Sequence, residues 1–196
     1  FMAVKFSDEV VADNKIIKKY ILDKYKRTAH LIPYGGDHVS ALPLSKEIKV
    51  KYPFLSYCYA FSVCRIEPEN NIHVILSAFE KITNKSIVII GNWENSKYGI
   101  DLKKKYMNYK NIFLIDPIYD QEILNQIRSN CYIYIHGHEA GGTNPSLVEA
   151  MSLKLPVCAF DISYNRETTK KKAIYFKDVS SLVEMVENTE TNKLNS

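Results

Sequence analysis

The sequence predicts an α/β protein: a Rossmann-like parallel sheet with helices on both faces. Three observations predict it. Apolar runs of strand length alternate with stretches of helical period. The strand candidates are nearly continuous in apolar residues, as strands covered on both faces must be. Glycines also gather where predicted strands run out, at Gly35-Gly36, Gly91, Gly137 and Gly141-Gly142, with Gly99 lying elsewhere. Ligands of open α/β sheets bind beyond the carboxyl ends of the strands, so these loops are expected to form one site.

In chain order, residues 9–12 read as a strand, 15–26 as a helix and 29–32 as a second strand. Tyr34-Gly35-Gly36-Asp37 then opens a stretch of poor periodicity, which ends at a long apolar strand expected over 54–63. A helix over 71–82 sets Ile72, Ile75, Leu76, Phe79 and Ile82 near one face. Strand 86–90, helix 97–106 and strand 112–115 follow. Asp120 is a good N-cap for a helix over 120–129, which buries Ile123, Leu124 and Ile127. Strand 131–136 leads through a glycine loop into a helix over 146–153. Strands at 157–160 and 173–176 and a helix at 180–188 complete the pattern. Residues 1–40 read as a separate piece, the tail of another domain, and 41–188 as the main sheet domain. Residues 189–196 are polar and expected to fray.

The 196 residues are 46% hydrophobic and 24% charged, an ordinary composition for a chain with one sizeable core. Net charge is +4, and the dense lysine runs, Lys103-Lys104-Lys105 and Lys170-Lys171-Lys172, are not interleaved with aromatic residues. They read as solvated faces, so no nucleic-acid partner is expected. Cys58, Cys64, Cys131 and Cys158 sit in apolar runs without metal-type spacing, and read as small buried hydrophobes in a reducing compartment. No apolar stretch approaches the roughly 18 residues of a membrane span, and no signal peptide is recognisable. A cytoplasmic location is expected.

The run from His136 to Met151 carries the most chemistry. Strand, Gly141-Gly142-Thr143-Asn144 and helix start follow in order, which points free backbone N–H groups at whatever lies beyond the strand. That place suits an anion, through unpaired donors and the positive end of the helix dipole. Glu149 follows on the first turns, an acceptor beside a phosphate-type site, and the combination suggests a nucleotide sugar. A plain tight turn is the alternative, with Thr143 or Asn144 as N-cap and Pro145 at the first helical position. Arg65, where the strand ending in Phe61-Ser62-Val63-Cys64 exits, is placed for bidentate phosphate contact. Its alternative is an ion pair with Glu67 or Glu69. His136, His138 and Glu139 lack a third metal ligand at suitable spacing, so they are read as lining a polar strand-end site and no metal is assigned. His30, His38 and His73 look isolated. A G-x-S-x-G elbow, a Walker lysine motif and G-x-G-x-x-G are all missing, which argues against a hydrolase, a P-loop NTPase and an ordinary NAD enzyme.

These residues resemble a family. Val10-Val11-Ala12-Asp13, Leu31-Ile32-Pro33-Tyr34-Gly35-Gly36-Asp37, Arg65-Ile66-Glu67-Pro68-Glu69-Asn70-Asn71, the glycine loop and Glu149-Ala150-Met151 keep the motif order of the retaining GT-B glycosyltransferases of group 1. The likeness is greatest to bacterial rhamnosyltransferase-like members. It implies the C-terminal, sugar-donor half of a GT-B fold at 41–188, with residues 1–40 the end of an N-terminal acceptor domain. It further implies that Arg65 stabilises the leaving group and that Asn70, Gly141, Gly142, Thr143, Asn144, Leu147 and Glu149 bind the sugar donor, Glu149 at the ribose hydroxyls. The implied partners are a dTDP- or UDP-linked sugar, a rhamnose-like hexose, and a glycan or lipid-linked acceptor of cell-surface polysaccharide synthesis. The implied place is the inner membrane face, and no cofactor is implied. Two departures stand out. The family's usual lysine five positions after the arginine is Asn70 here, and the first glutamate of its E-x7-E pattern is Gly141. A non-catalytic nucleotide or nucleotide-sugar binding module stays open as the alternative. An epimerase or methyltransferase is disfavoured by the missing glycine fingerprint.

Overall fold

The computed structural model describes residues 2–190, so 191–196 of the expected frayed end lie outside the described residues. The N-terminal piece holds α1 (Met2–Phe6), β1 (Val11–Ala12), α2 (Lys15–Tyr25) and β2 (His30–Leu31). β1 and β2 pair in parallel as a two-stranded sheet of their own. Val10, Ala12, Ile21 and Ala29 pack into a small cluster beneath it. Asn14 starts α2 by accepting a hydrogen bond from the Ile16 N–H, the cap that an extended Asn supplies.

The next stretch differs from expectation. Ser45 caps a helix, α3 (Lys46–Lys51), where the sequence lacks periodicity, and a tight 3-10 turn follows over Pro53–Ser56. The strand expected over 54–63 is therefore only β3 (Tyr59–Val63). Pro53 has no N–H and a fixed φ, so it opens a turn rather than a ladder. The apolar Phe54 and Leu55 are buried from that turn, not from a strand.

From β3 onward the chain alternates as predicted: α4 (Ile72–Lys81), β4 (Ser86–Ile90), α5 (Lys97–Tyr106), β5 (Ile112–Ile115), α6 (Gln121–Ser129), β6 (Ile133–His136), α7 (Pro145–Ser152) and β7 (Val157–Phe160). An unforeseen short helix, α8 (Ser163–Thr168), precedes β8 (Ile174–Phe176) and α9 (Val179–Asn188). α8 starts at Ile162 with no side-chain cap, so it carries no start signal.

The six-stranded sheet has the order β5-β4-β3-β6-β7-β8, and every pairing is parallel. The chain winds outward from β3 to β5, then crosses back to β6 and winds the other way. This is the doubly wound α/β arrangement, with its switch point between β3 and β6. Alternate residues feed opposite faces. Ala60, Ile87, Ile89, Ile133 and Ile135 pack with α4 and α9, whereas Tyr59, Phe61, Val88, Ile90 and Tyr134 pack with α6 and α7. Both faces are apolar and covered, as the continuous apolar strands require. No described helix is long and apolar enough to cross a membrane.

Candidate functional site

Two hollows meet at the carboxyl end of β3, sharing Val63, Cys64 and Arg65. The first, about 350 Å³, lies at the switch point between Arg65 and Asn70 on one side and Arg128, His138, Asn144, Ser146 and Glu149 on the other. The second, about 260 Å³, is walled mainly by Ile66, Ile90, Gly91, Pro117, Ile118 and Tyr119.

Arg65 leaves β3 with its side chain 77% exposed, and its one described partner is Glu69, at a long 3.4 Å. The alternative partner read from the sequence is thus present but loose, and the guanidinium is free to turn into either hollow. Asn70 behaves differently. It is 3% exposed, its Nδ2 donates to the Arg65 carbonyl (2.8 Å) and its Oδ1 accepts from His138 Nδ1 (2.8 Å). Asn70 is therefore a brace between the Arg65 turn and the loop after β6. Burial holds the His138 imidazole below its ordinary pKa. His136, the last residue of β6, is pushed down to about 3 by burial and then by the neighbouring His138, so it is neutral. Among the described residues no group of three His, Cys, Asp or Glu side chains is placed to hold a metal ion.

The glycine loop is split between two environments. Asn144 caps α7 by accepting from the Ser146 N–H, Pro145 takes the first helical position, and both line the cleft with Ser146. Ser146 Oγ also lies 3.0 Å from the hydroxyl of buried Tyr134, which fixes the start of α7 on β6. Gly141 has φ +67°, a conformation that only glycine adopts freely. Gly142 lies close against Asp13: a Cβ there would stand 2.7 Å from Asp13 Oδ1 and would push that carboxylate aside. The Asp13 carboxylate, on the turn after β1, accepts from the Thr143 N–H at 2.9 Å. The loop amide of Thr143 thus meets an internal carboxylate, where the sequence pointed to a ligand anion. Gly141, Gly142 and Thr143 are not on the walls of the switch-point cleft, and Thr143 faces a separate hollow shared with Asp13 and Lys15. Leu147, assigned by resemblance to sugar-donor binding, is wholly buried under the sheet among Tyr134 and Ala150, with no surface toward the cleft.

Glu149 does line the cleft, 15% exposed, but its carboxylate is already engaged. Oε2 accepts from Arg128 at 2.7 Å and Oε1 from His38 at 2.9 Å. Neither partner was foreseen. His38, read as isolated, belongs to the segment between the small sheet and α3, which also hydrogen-bonds α6 through Leu42. Arg128 is in the last turn of α6, where a basic residue reads as an ordinary complement to the helix dipole. The one available signal was its position four residues after Leu124, on the stripe that the helix buries.

A doubly wound sheet with a polar, arginine-bearing cleft at its switch point defines an open α/β protein whose candidate site lies where ligands of such sheets bind. Residues 45–195 match the family described as glycosyl transferases group 1, and the chain belongs to that family. No match is found among curated protein sequences. Solved structures share the fold. Sucrose-phosphate synthase from Thermosynechococcus elongatus is 14% identical with a TM-score of 0.77, the match covering 95% of this chain and 50% of that one. S. aureus MnaA, solved with UDP, is 14% identical with a TM-score of 0.65, covering 95% and 52%. An α,α-trehalose-phosphate synthase (UDP-forming) from Burkholderia xenovorans, solved with glucose-6-phosphate, is 14% identical with a TM-score of 0.65, covering 83% and 44%. The chain spans about half the length of the solved proteins it matches.

Proposed function

We propose that the chain is the sugar-donor half of a retaining glycosyltransferase that takes a hexose from a nucleoside diphosphate sugar. The observation that carries this reading is the convergence of Arg65, Asn144, Ser146 and Glu149 on one switch-point cleft, beside an apolar hollow that also touches Arg65. In this reading the base occupies the hollow of Ile66, Ile90, Ile118 and Tyr119, and the diphosphate lies at Arg65 and the start of α7. The ribose hydroxyls lie at Glu149. UDP on one structural neighbour and the UDP-forming reaction named for another support a nucleoside diphosphate ligand. The motif resemblance supports a UDP- or dTDP-linked, rhamnose-like sugar and a glycan or lipid-linked acceptor, with the full protein at the cytoplasmic face of a membrane. Residues 1–40 would then close the acceptor domain, the rest of which lies outside these 196 residues.

The chemistry follows from charge. Cleaving the bond between the anomeric carbon and the diphosphate builds negative charge on the leaving oxygens. Arg65, the loop amides and the positive end of α7 would meet that charge, each pre-placed donor contributing a few kcal/mol by analogy with oxyanion holes. For the amide of Thr143 to join, Asp13 must release it and the loop must turn it from its own hollow into the cleft. Isothermal titration with UDP, dTDP, NAD and S-adenosylmethionine tests the reading. Binding of a nucleoside diphosphate alone is expected, and binding only of NAD or S-adenosylmethionine would overturn it. Diphosphate binding without transfer, once an acceptor domain is supplied, would favour the non-catalytic module.

A further inference from the structure

Among the described residues Arg128 is the one lysine or arginine that is buried, with 2% of its side chain exposed. Its Nη2 holds Glu149 Oε2 at 2.7 Å, and its Nε and Nη1 are buried without any hydrogen-bond partner among the described residues. Stability does not account for this arrangement. A buried ion pair gains little over a well-packed apolar pair, and each unpartnered buried donor adds a penalty. Arg128 and Glu149 both line the cleft in which the diphosphate is placed, however. An uncompensated carboxylate there would repel the phosphates it must sit beside.

We propose that Arg128 is a positioning residue that makes Glu149 usable in a diphosphate site; this rests on the nucleotide reading above. The guanidinium cancels the carboxylate's charge from behind and fixes its orientation through Oε2. Each carboxylate oxygen has more than one lone-pair site, so both keep room for a neutral hydroxyl. Oε1 is the more exchangeable end, since its partner His38 is 55% exposed. The pair therefore selects a hydroxyl-bearing ring at Glu149 and tolerates phosphates nearby, which neither residue alone does. Arg128 acts through Glu149 and needs no contact with the nucleotide.

The test is a double-mutant cycle read by titration with UDP and dTDP. Arg128→Met, which leaves a bare carboxylate in the cleft, should weaken both nucleotides by about tenfold or more. Arg128→Lys, which restores the charge, should recover most of that loss. Arg128→Met combined with Glu149→Gln should bind the nucleotides better than Arg128→Met alone, because the second change removes the repelling charge. Such rescue is not expected of a merely structural arginine. Should Arg128→Met not fold, Arg128→Gln carries the same comparison. Unchanged affinity in Arg128→Met, or a double variant that binds no better than the single one, overturns the inference and leaves the nucleotide reading standing. Failure of the unsubstituted chain to bind either nucleotide overturns that reading and the inference with it.

Discussion

Replacing Arg65 by alanine separates phosphate recognition from folding. The side chain is 77% exposed and its ion pair with Glu69 spans 3.4 Å. Exposed pairs of this kind contribute about 0–1 kcal/mol, so the melting temperature should hardly move. A guanidinium–phosphate contact is charge-assisted and is worth about 1.5–3 kcal/mol. At about 1.4 kcal/mol per factor of ten, its loss weakens a nucleoside diphosphate by about tenfold to about a hundredfold. Uridine and thymidine lack the phosphates and should lose little. Titration of UDP, dTDP and the two nucleosides against both proteins, with parallel thermal melts, measures the difference. Equal loss for nucleoside and diphosphate, or a large fall in melting temperature, would show that Arg65 acts through the fold.

Three further outcomes are expected. Glu149→Gln should weaken UDP more than its 2′-deoxy analogue, because a carboxylate that accepts from ribose hydroxyls loses most where there are two; unchanged affinity for both would leave Glu149 a structural partner of Arg128. Asp13→Ala frees the Thr143 amide from a 2.9 Å carboxylate contact and should tighten diphosphate binding, whereas weaker binding would mean that Asp13 organises the loop for the ligand. His136 is held at about 3 against an ordinary 6.5, so the unfolded chain takes up its proton first as pH falls. Its contribution to stability is complete above pH 6.5 and is lost progressively toward pH 3, at up to about 1.4 kcal/mol per pH unit. Urea unfolding at pH 7 and pH 5 should therefore show a pH-dependent loss that is smaller by about 2 kcal/mol in His136→Gln, and an identical loss in both proteins would refute this assignment.

How much of this was legible in the sequence depended on the range of the interaction. β4, β5, β7 and α5 occupy the positions expected for them, because each is a full apolar or amphipathic period. α3 and α8 are too short to show a period, and Pro53 converted half of an apolar run into a turn. The glycine loop and Arg65 were legible as strand-end features, since the parallel sheet puts all such ends on one rim. Arg128 and His38 were not, because burial and pairing arise only when α7 lies against α6 and the segment after β2 crosses both. His38 reaches Glu149 across 111 residues of sequence, and no local pattern encodes that.

The same geometry bears on the missing lysine. Asn70 is 3% exposed, and both ends of its amide are used, on the Arg65 carbonyl and on His138. A lysine at this place would have to bury an ammonium or swing out, and either way the brace that shapes the Arg65 turn is lost. In the proposed site the second cation is therefore not replaced at position 70, and Arg128 does not replace it either, because its charge is committed to Glu149. Arg65 is left as the one exposed cation on the wall of the switch-point cleft, with the amides and dipole of α7 as its partners. Two consequences follow for binding. Affinity for a diphosphate should fall less steeply with salt than in a site with two exposed cations, since fewer mobile charges are involved. Discrimination between diphosphate and monophosphate should also rest mainly on Arg65, so its alanine variant should bind UDP and UMP with nearly the same affinity.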